Sequence, residues 1–332
     1  MARYYYAETG QNRAISTEIT GYAASALVFL ADVANDESYF RTAQQAANFL
    51  CEKAWEPGLG VFPFELDPAP DSHLHTYFFD TGIIIRGLLA VWRVTKEERL
   101  LRVAQEASRQ MTLHFAGPGD WHPILRIPSL RPTPRELRWS RSPGCYQLKS
   151  ALAWREVADA TGDESVAAPY YEWMQKSLGS HRDYLPGSDS PSVVMDRLHP
   201  YCYFLEGMSR FVSRKDCREE YAWGLERTGK LLREIRPVFL RADVCAQLLR
   251  ARLLAAEYIP VDVAAASEEA EELLAFQAHT EDPRIDGGFW FGRRDGELIP
   301  HVSPVPAAFA VQALELWRAF QAGEDLCRNP VI

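Results

Sequence analysis

The most regular feature of the chain is a repeated pair of helices. In each copy an apolar run with helical spacing comes first, a short polar turn follows, and a stretch with one charged face comes last. A helix that is apolar on every side is typical of an enclosed position, whereas a single apolar stripe is typical of a surface helix. Each copy therefore predicts an inner and an outer helix. The copies begin at Thr20, Thr81, Cys145, His199 and Arg241, and a further inner helix begins at Ser303.

Repeats of this kind decide the architecture. Five pairs and a partial sixth within 332 residues predict an all-α fold, an (α/α)6 toroid that spans residues 1–332 as a single domain. Residues 1–15 are expected to form an extended N-terminal segment. The alternative is an open helical solenoid, but the unequal repeat lengths and the missing terminal capping repeat argue against it.

The lengths of the connections indicate where a functional site should lie. Turns within a pair are short, whereas connections between pairs are mostly long, at 55–79, 116–144, 183–198 and 280–302. In a toroid these long connections emerge on one face, beside the N-termini of the inner helices. Long structured loops are usually kept for binding or catalysis. They are rich in aromatic, arginine and histidine residues here, which suits the apolar faces and the hydroxyls of sugars.

Composition excludes several classes of protein. The net charge of −9 provides no positive field that would attract nucleic acid. The sequence contains no run of about 18 apolar residues, so it predicts no membrane span. The six cysteines form no CxxC pair, so we expect reduced thiols and a cytoplasmic protein. His73 and His75 form an HxH without an evident third ligand. We therefore expect neither a metal nor a cofactor.

The chain resembles the six-hairpin glycosidase-like superfamily over residues 16–322. The resemblance depends on the repeats, on the "DTG" that opens the second inner helix, and on the aromatic loops. That superfamily includes hydrolases of unsaturated uronides, other glycosidases, polysaccharide lyases and epimerases, so the resemblance implies a glycan substrate. Its hydrolases commonly place carboxylates at the N-termini of inner helices, which correspond here to Asp80 and Asp243. The third inner helix opens with Tyr146 and Gln147 instead, which departs from the uronide-hydrolase pattern.

The first hypothesis for the reaction is hydrolysis of an acidic, uronate-containing oligo- or polysaccharide. Burial in its apolar helix would raise the pKa of Glu206, as a general acid requires. A helix N-terminus lowers the pKa of a carboxyl, so Asp80 or Asp243 would act as base or nucleophile. Structural roles are the alternatives, since a first-turn carboxylate often caps a helix. Glu206 could equally form a buried ion pair with an arginine such as Arg86 or Arg210.

Two other hypotheses remain open. The stretch "HPYCYFLEGM" predicts a helix that begins at His199 and carries Tyr203 and Glu206 on the same face. His199 with Tyr201 or Tyr203 could serve as the acid–base pair of a polysaccharide lyase or epimerase, or His199 could cap the helix. The third hypothesis is a non-catalytic toroid that binds a glycan or a protein in polysaccharide assembly.

The remaining candidates would bind substrate. Gly287 and Gly288 predict a tight hairpin reaching over a cleft, with a surface hairpin that tucks Phe289 and Phe291 inward as the structural alternative. Aromatic rings would stack on sugars, and cationic or polar groups would hold them. The full set of expected binding residues is His199, Tyr201, Tyr203, Arg241, Trp121, Tyr146, Asp286, Trp290, Arg293 and His301.

Overall fold

The computed structural model describes residues 1–66, 74–117, 120–136, 138–185, 190–326 and 331–332, and most of them are helical. The α-helices in this part of the chain are α1 (Thr17–Ala34), α2 (Glu37–Phe49), α3 (Phe78–Thr95), α4 (Glu98–Phe115), α5 (Leu148–Thr161), α6 (Ala168–Tyr184), α7 (Pro191–Met208), α8 (Lys215–Ile235), α9 (Ala242–Leu254), α10 (Val263–Leu274) and α11 (Pro304–Ala322). Shorter helical turns are Leu50–Ala54, Trp139–Arg141, Cys145–Gln147, Glu164–Ala167 and Ser209–Phe211.

Short antiparallel strands lie in the connections between the helix pairs. They are β1 (Tyr5–Tyr6), β2 (Gln11–Asn12), β3 (Ile15–Ser16), β4 (Glu65–Leu66), β5 (His75–Tyr77), β6 (Ala116–Gly117), β7 (Asp120–Trp121), β8 (Ile124–Arg126), β9 (Arg131–Pro132), β10 (Phe239–Arg241), β11 (Gly292–Arg294), β12 (Glu297–Leu298) and β13 (His301–Val302). They form sheets in the orders β13-β1-β2, β10-β11-β12 and β5-β8-β9, with the pairs β3-β4 and β6-β7.

The helix pairs predicted from the apolar pattern are confirmed. The first helix of a pair is buried on nearly all sides, as in α3, where both apolar residues and Asp80 and Arg86 are enclosed. The second helix buries one stripe, as in α4, where Leu100, Val103 and Ala107 face inward and charged residues face solvent. Among the described residues, no helix is both long enough and apolar enough to cross a membrane.

The contacts divide the chain into two compact units. The first unit contains residues 1–3 and 13–175, and the second contains residues 4–12 and 176–332. In the first unit, α3 packs against both α1 and α5. In the second unit, α9 packs against α7, α10 and α11. Each unit thus has its own core, built around a first helix of a pair.

Glycine allows the helices of the first unit to approach at backbone distance. A Cβ on Gly87 would lie 2.5 Å from the carbonyl oxygen of Gly21, and a Cβ on Gly21 would lie 2.9 Å from Cα of Ile84. A Cβ on Gly82 would lie 2.0 Å from Oγ of Ser150. Gly21 and Gly82 are the glycines of the two Thr-Gly dipeptides, so this repeated dipeptide is a packing feature.

We expect Gly87→Ala to destabilise the protein by about 1–3 kcal/mol, because backbone atoms of α1 would have to move to admit the methyl group. Gly179 of α6 is the matched control, since a Cβ there would meet nothing within 4 Å. Gly179→Ala should stabilise by up to ~1 kcal/mol through helix propensity alone. Urea unfolding followed by circular dichroism measures both. Equal effects for the two variants would show that the α1–α3 approach does not depend on Gly87.

The start of α7 differs from the prediction. The helix begins at Pro191, and the side chain of Ser190 caps it by accepting from the Val193 amide at 3.4 Å. The predicted start at His199 was therefore wrong, as was its capping role. Pro200 lies inside the helix, where it lacks an amide proton and costs about 3 kcal/mol. Burial of the side chains around it offsets this cost.

Candidate functional site

His199 lies well inside α7 in the second unit, and its imidazole is buried. Its Nδ1 atom is 2.9 Å from Oε1 of Gln247 and 3.2 Å from Oδ2 of Asp243. Both oxygens are hydrogen-bond acceptors, so Nδ1 carries the proton and Nε2 carries the lone pair. The surroundings therefore select the tautomer in which Nε2 can accept a proton.

His199 is also unprotonated at neutral pH. Burial lowers the pKa of the imidazole to about 4, although the carboxylate of Asp243 acts to raise it. An imidazole with this pKa is neutral at neutral pH. His199 can accept a proton there, and Asp243 is placed to offset the positive charge that would form.

Asp243 is held by the arginine that precedes its helix. Arg241 ends β10 and donates from Nε to Oδ1 of Asp243 at 2.9 Å, and from Nη2 to Oδ2. Such two-point pairing fixes the orientation of the carboxylate. Burial acts to raise the pKa of Asp243, but Arg241 and His199 outweigh it and hold the pKa below its usual range. Asp243 is therefore ionised when it orients His199.

A second imidazole, that of His301, is linked to Arg241 through an aromatic ring. The Arg241 guanidinium lies 4.7 Å from the centroid of Phe291, and Phe291 stacks on His301 at 4.6 Å. Burial and the charge of Arg241 lower the pKa of His301. The ring of Tyr203 meets His199 edge-on at 4.6 Å. We name as the histidine cluster His199, Tyr203, Arg241, Asp243, Gln247, Phe291 and His301.

Five members of this cluster were candidates from the sequence, and Gln247 and Phe291 were missed as site residues. Gln247 follows Asp243 by one helical turn in α9. Residues four apart share a helix face, so this spacing could have indicated it. No sequence signal places Phe291 between Arg241 and His301, because that contact needs the pairing of β10 with β11.

A pair of carboxyl groups occupies the first unit. Glu18 and Asp80 lie in the first turns of α1 and α3. Burial raises the pKa of Glu18 to about 7, against the opposing charges of Arg3 and Lys149. Burial raises the pKa of Asp80 well above its usual range, and the charge of Glu18 raises it further. Both groups therefore tend to keep a proton, and Oδ2 of the buried Asp80 has no hydrogen-bond partner among the described residues.

The position of Glu18 follows the rule that indicated Asp80. Both are acidic residues in the first turn of an inner helix. The sequence repeat begins at Thr20, after Glu18, so Glu18 fell outside the aligned copy. A helix start placed at Ser16, whose side chain accepts from the Ile19 amide at 3.3 Å, would have included it.

The raised pKa of Glu18 has a measurable effect on stability. Between its ordinary value of 4.5 and about 7, the folded protein keeps a proton that the unfolded chain has lost, so this group's stabilisation is present at low pH and lost as pH rises. Glu18→Gln cannot titrate. We expect its stability relative to wild type to rise across this window, with a slope approaching ~1.4 kcal/mol per pH unit. Urea unfolding at several pH values measures the difference.

The control for this measurement is Glu37→Gln, which changes an exposed glutamate in the first turn of α2. Its stability should follow that of wild type at every pH. If Glu18→Gln also follows wild type, then Glu18 does not hold a proton above its ordinary range.

Glu206 lies in a different environment from that expected of a general acid. Its side chain is 0% exposed, and it forms an ion pair with Arg250, which is also 0% exposed. Arg250 donates from Nη1 to Gln312 at 3.1 Å and lies 4.3 Å from the ring of Phe309. This is the buried ion pair that was the structural alternative, with Arg250 in place of Arg86 or Arg210. Arg86 instead pairs with Glu156 at 2.8 Å.

Tyr201 points to a different set of neighbours from His199. Its hydroxyl is 2.7 Å from Nδ1 of His181, and Nε2 of His181 is 2.8 Å from the carboxylate of Glu220. A Cβ on Gly224 of α8 would lie 2.8 Å from the same hydroxyl. Tyr201 therefore faces α8 and takes part in a tyrosine–histidine–glutamate chain whose glutamate is partly exposed.

Trp121 and Tyr146 lie in the first unit and are buried. The ring of Trp121 packs against Phe78 at 5.7 Å and against Trp154 at 5.1 Å. The hydroxyl of Tyr146 donates to the carbonyl of Ser142 at 2.9 Å. Both side chains therefore have packing or hydrogen-bonding roles, whether or not they also contact a ligand.

The candidates in the 280–302 connection do not all join the histidine cluster. Arg293 pairs with Glu272 at 3.1 Å, and exposed Asp286 accepts from the Thr280 amide at 3.1 Å. Trp290 is bridged to Val302 next to His301. His75 lies in β5, whereas His73 falls outside the described residues. The structure therefore does not test whether the HxH pair binds a metal.

The two-residue hairpin in this connection lies later than predicted. β11 and β12 are joined through Asp295 and Gly296, both with positive φ, at 50° and 87°, as an Asp-Gly turn of this kind requires. Gly287 and Gly288 form a separate turn, in which the Gly287 amide donates to the carbonyl of Ala278 at 2.9 Å. Phe289, after this turn, is buried.

Comparison with known proteins identifies the fold. No protein-family profile matches the chain, and no curated protein sequence matches it. Among solved structures, a sugar epimerase from a ruminal bacterium superposes with a TM-score of 0.73 at 12% identity, covering 97% of this chain and 92% of that chain. Cellobiose 2-epimerase from Spirochaeta thermophila gives a TM-score of 0.71 at 12% identity, covering 92% and 86%.

A third similar structure is an unsaturated glucuronyl hydrolase specific for heparin, with a TM-score of 0.65 at 11% identity, covering 98% of this chain and 92% of that chain. These likenesses confirm the predicted fold, an (α/α)6 toroid. The similar proteins act on carbohydrates and include both epimerases and hydrolases.

Proposed function

We propose that the chain is a sugar epimerase in which His199 removes the proton from the carbon next to the sugar carbonyl. The observation that carries the proposal is the pair of acceptors, Gln247 and Asp243, at Nδ1 of His199. They leave Nε2 as the nitrogen that takes a proton. The likeness to two epimerases supports this choice among the activities of the fold.

In the proposed reaction the sugar reacts in its open-chain form. Nε2 of His199 takes the proton from C2, and the C–H electron pair passes into an enediolate over C1 and C2. A water molecule donates a proton to the opposite face of C2 while the enediolate returns to the C1 carbonyl, which gives the epimer, and His199 passes the proton it took to the hydroxide that remains. Asp243 offsets the charge of the imidazolium, and Arg241 keeps that carboxylate in position. A positioned base of this kind contributes about 10²–10⁴-fold to the rate.

The charges around the cluster support a neutral sugar rather than an acidic one. Arg241 is paired with Asp243, and Arg293 is paired with Glu272. A guanidinium already bound to a carboxylate offers less attraction to a substrate carboxylate. We therefore infer that the preferred substrate is a neutral reducing sugar, in contrast to the uronate favoured by the sequence.

Hydrolysis is the second candidate, and the carboxyl pair favours it. Glu18 has a pKa near 7, so a large share of the molecules carries a proton on it at neutral pH, as a general acid needs. In this reaction Glu18 would protonate the glycosidic oxygen, and the distance between the carboxyls would determine retention or inversion. The likeness to the glucuronyl hydrolase is compatible with this reading.

One experiment separates the candidates. The protein is incubated in D2O with mannose, glucose, cellobiose and an unsaturated glucuronyl disaccharide, and the products are followed by NMR. Deuterium at C2 together with the C2 epimer supports the epimerase. New reducing ends without deuterium at C2 support the hydrolase. Saturable binding without any reaction would leave a binding protein and overturn both enzymatic proposals.

A further inference from the structure

A cavity of about 180 Å³ lies in the second unit, away from the histidine cluster. Its walls come from α8, from α9 and from the segment that leads into α10. The cationic side chains in its lining are Arg233 and Arg252, and the anionic ones are Glu226 and Asp262. Residues 259–261 supply an apolar wall.

The two arginines bring their guanidinium groups to one point. A Cβ on Gly229 of α8 would lie 2.7 Å from Nη2 of Arg252 and 3.6 Å from Nη1 of Arg233. Both head groups therefore approach the bare backbone of this glycine from within the same region. Two like charges this close repel each other unless an anion lies between or beside them.

The anion supplied by the protein offsets only part of this charge. Nε of Arg252 donates to both oxygens of buried Glu269 at 2.9 Å, which leaves the Nη groups of Arg252 for other acceptors. Burial raises the pKa of Glu269 to about 7, although Arg252 and Arg233 act to lower it. Glu269 is therefore incompletely ionised near neutral pH. Arg233 makes no side-chain hydrogen bond or salt bridge with any of the described residues.

The two carboxylates in the lining of this cavity lie where they weaken an anion site least. Oδ1 of Asp262 accepts from the Ala265 amide at 3.1 Å, at the N-terminus of α10. There the free helix amides and the helix dipole offset its charge. Glu226 is exposed, so solvent and salt screen its charge.

We propose that this cavity binds a phosphate group between Arg233 and Arg252, either as the free ion or as part of a phosphorylated sugar. A guanidinium presents two parallel N–H donors that match two oxygens of a phosphate. The apolar wall of residues 259–261 leaves space for the carbon skeleton of a sugar beside the phosphate. The site is independent of the proposed epimerase reaction, because the lining contains no member of the histidine cluster.

Isothermal titration of the full chain with inorganic phosphate, at constant ionic strength set with KCl, tests the site. We expect saturable binding that Arg233→Gln weakens about tenfold or more, since a charge-assisted hydrogen bond contributes about 1.5–3 kcal/mol. Arg227→Gln is the matched control, because Arg227 is on the same helix and outside the lining. It should bind phosphate as wild type does. Equal binding by the Arg233 and Arg227 variants, or no saturable binding by wild type, would overturn the proposal.

Gly229→Ala is a second variant that tests the geometry without removing a charge. Alanine favours the helix, so the fold should be kept, but its methyl group would displace the Arg252 guanidinium. Phosphate binding should weaken as it does in Arg233→Gln. Unchanged binding would contradict the role of Arg252.

Glucose 6-phosphate distinguishes the two sources of phosphate. Tighter binding than that of inorganic phosphate, weakened by Arg233→Gln, would assign the cavity to a phosphorylated sugar. Equal affinity would assign it to the free ion. Binding of glucose 6-phosphate that is equal in wild type and Arg233→Gln would argue against the site.

Discussion

His199→Asn should reduce deuterium exchange at C2 of the substrate sugar by about 10²–10⁴-fold, the usual contribution of a general base. The asparagine amide can replace the Nδ1–H donor toward Asp243 and Gln247, so the local hydrogen bonds are largely kept. Only the accepting Nε2 atom is lost. Measurement of exchange rates by NMR, with melting temperature as a check on folding, gives the result.

The matched control for this variant is His279→Asn, which changes an exposed histidine of the second unit. It should retain the wild-type exchange rate. If His199→Asn keeps more than about a tenth of the rate, which is less than the usual effect of losing a base, His199 is not the base.

The pH profile of kcat/KM adds a readout that a merely structural role would not change. The pKa of His199 is about 4, and a base must be unprotonated, so the rate should fall as pH drops through about 4 and stay level above it. The hydrolase candidate requires protonated Glu18, whose pKa is about 7, so its rate would fall as pH rises through about 7. Near neutrality the epimerase profile is therefore level, whereas the hydrolase profile falls as pH rises.

Arg250→Met should destabilise the folded protein by about 3–5 kcal/mol, because it leaves the carboxylate of Glu206 buried without its cation. Glu206 and Arg250 are both 0% exposed, so water cannot replace the lost partner. The double variant Glu206→Gln with Arg250→Met removes both charges and should recover most of the loss. Urea unfolding midpoints measure the free energies of unfolding.

Arg318→Met is the control, since Arg318 pairs with Glu315 and Glu324 and its side chain is 54% exposed. An exposed pair contributes about 0–1 kcal/mol, so this variant should remain close to wild type. A loss for Arg250→Met that is no larger than the loss for Arg318→Met would show that the buried pair adds little. It would also reopen the role of Glu206 as a general acid.

The helix pairs and their order could be predicted from the sequence, because the local spacing of apolar residues indicates whether a helix is buried on one face or on all faces. The exact start of α7 could not be predicted. Proline at 200 normally argues against a helix interior, and only the packing around it offsets that cost. The hairpin at Asp295 was missed in favour of Gly287 because both glycines are ordinary turn signals.

The site was predictable where its residues are neighbours in sequence or lie on one helix turn, as with Arg241 and Asp243. Contacts between side chains that are distant in sequence were not predictable. The partner of Glu206 is Arg250, 44 residues away. The sequence contains several arginines that were equally plausible partners. Likewise, no local signal shows that His199 would meet Asp243 and Gln247 of α9.

The sequence by itself determined the helices, their grouping into pairs and the polar character of the residues at their ends, since these follow from side-chain spacing along one element. Only the tertiary structure decided which buried charges neutralise each other and which ring nitrogen of His199 is left to accept a proton. The physical reason is that a charge in the interior takes its state from whatever lies within a few ångströms. Those neighbours come from helices that the chain brings together only on folding.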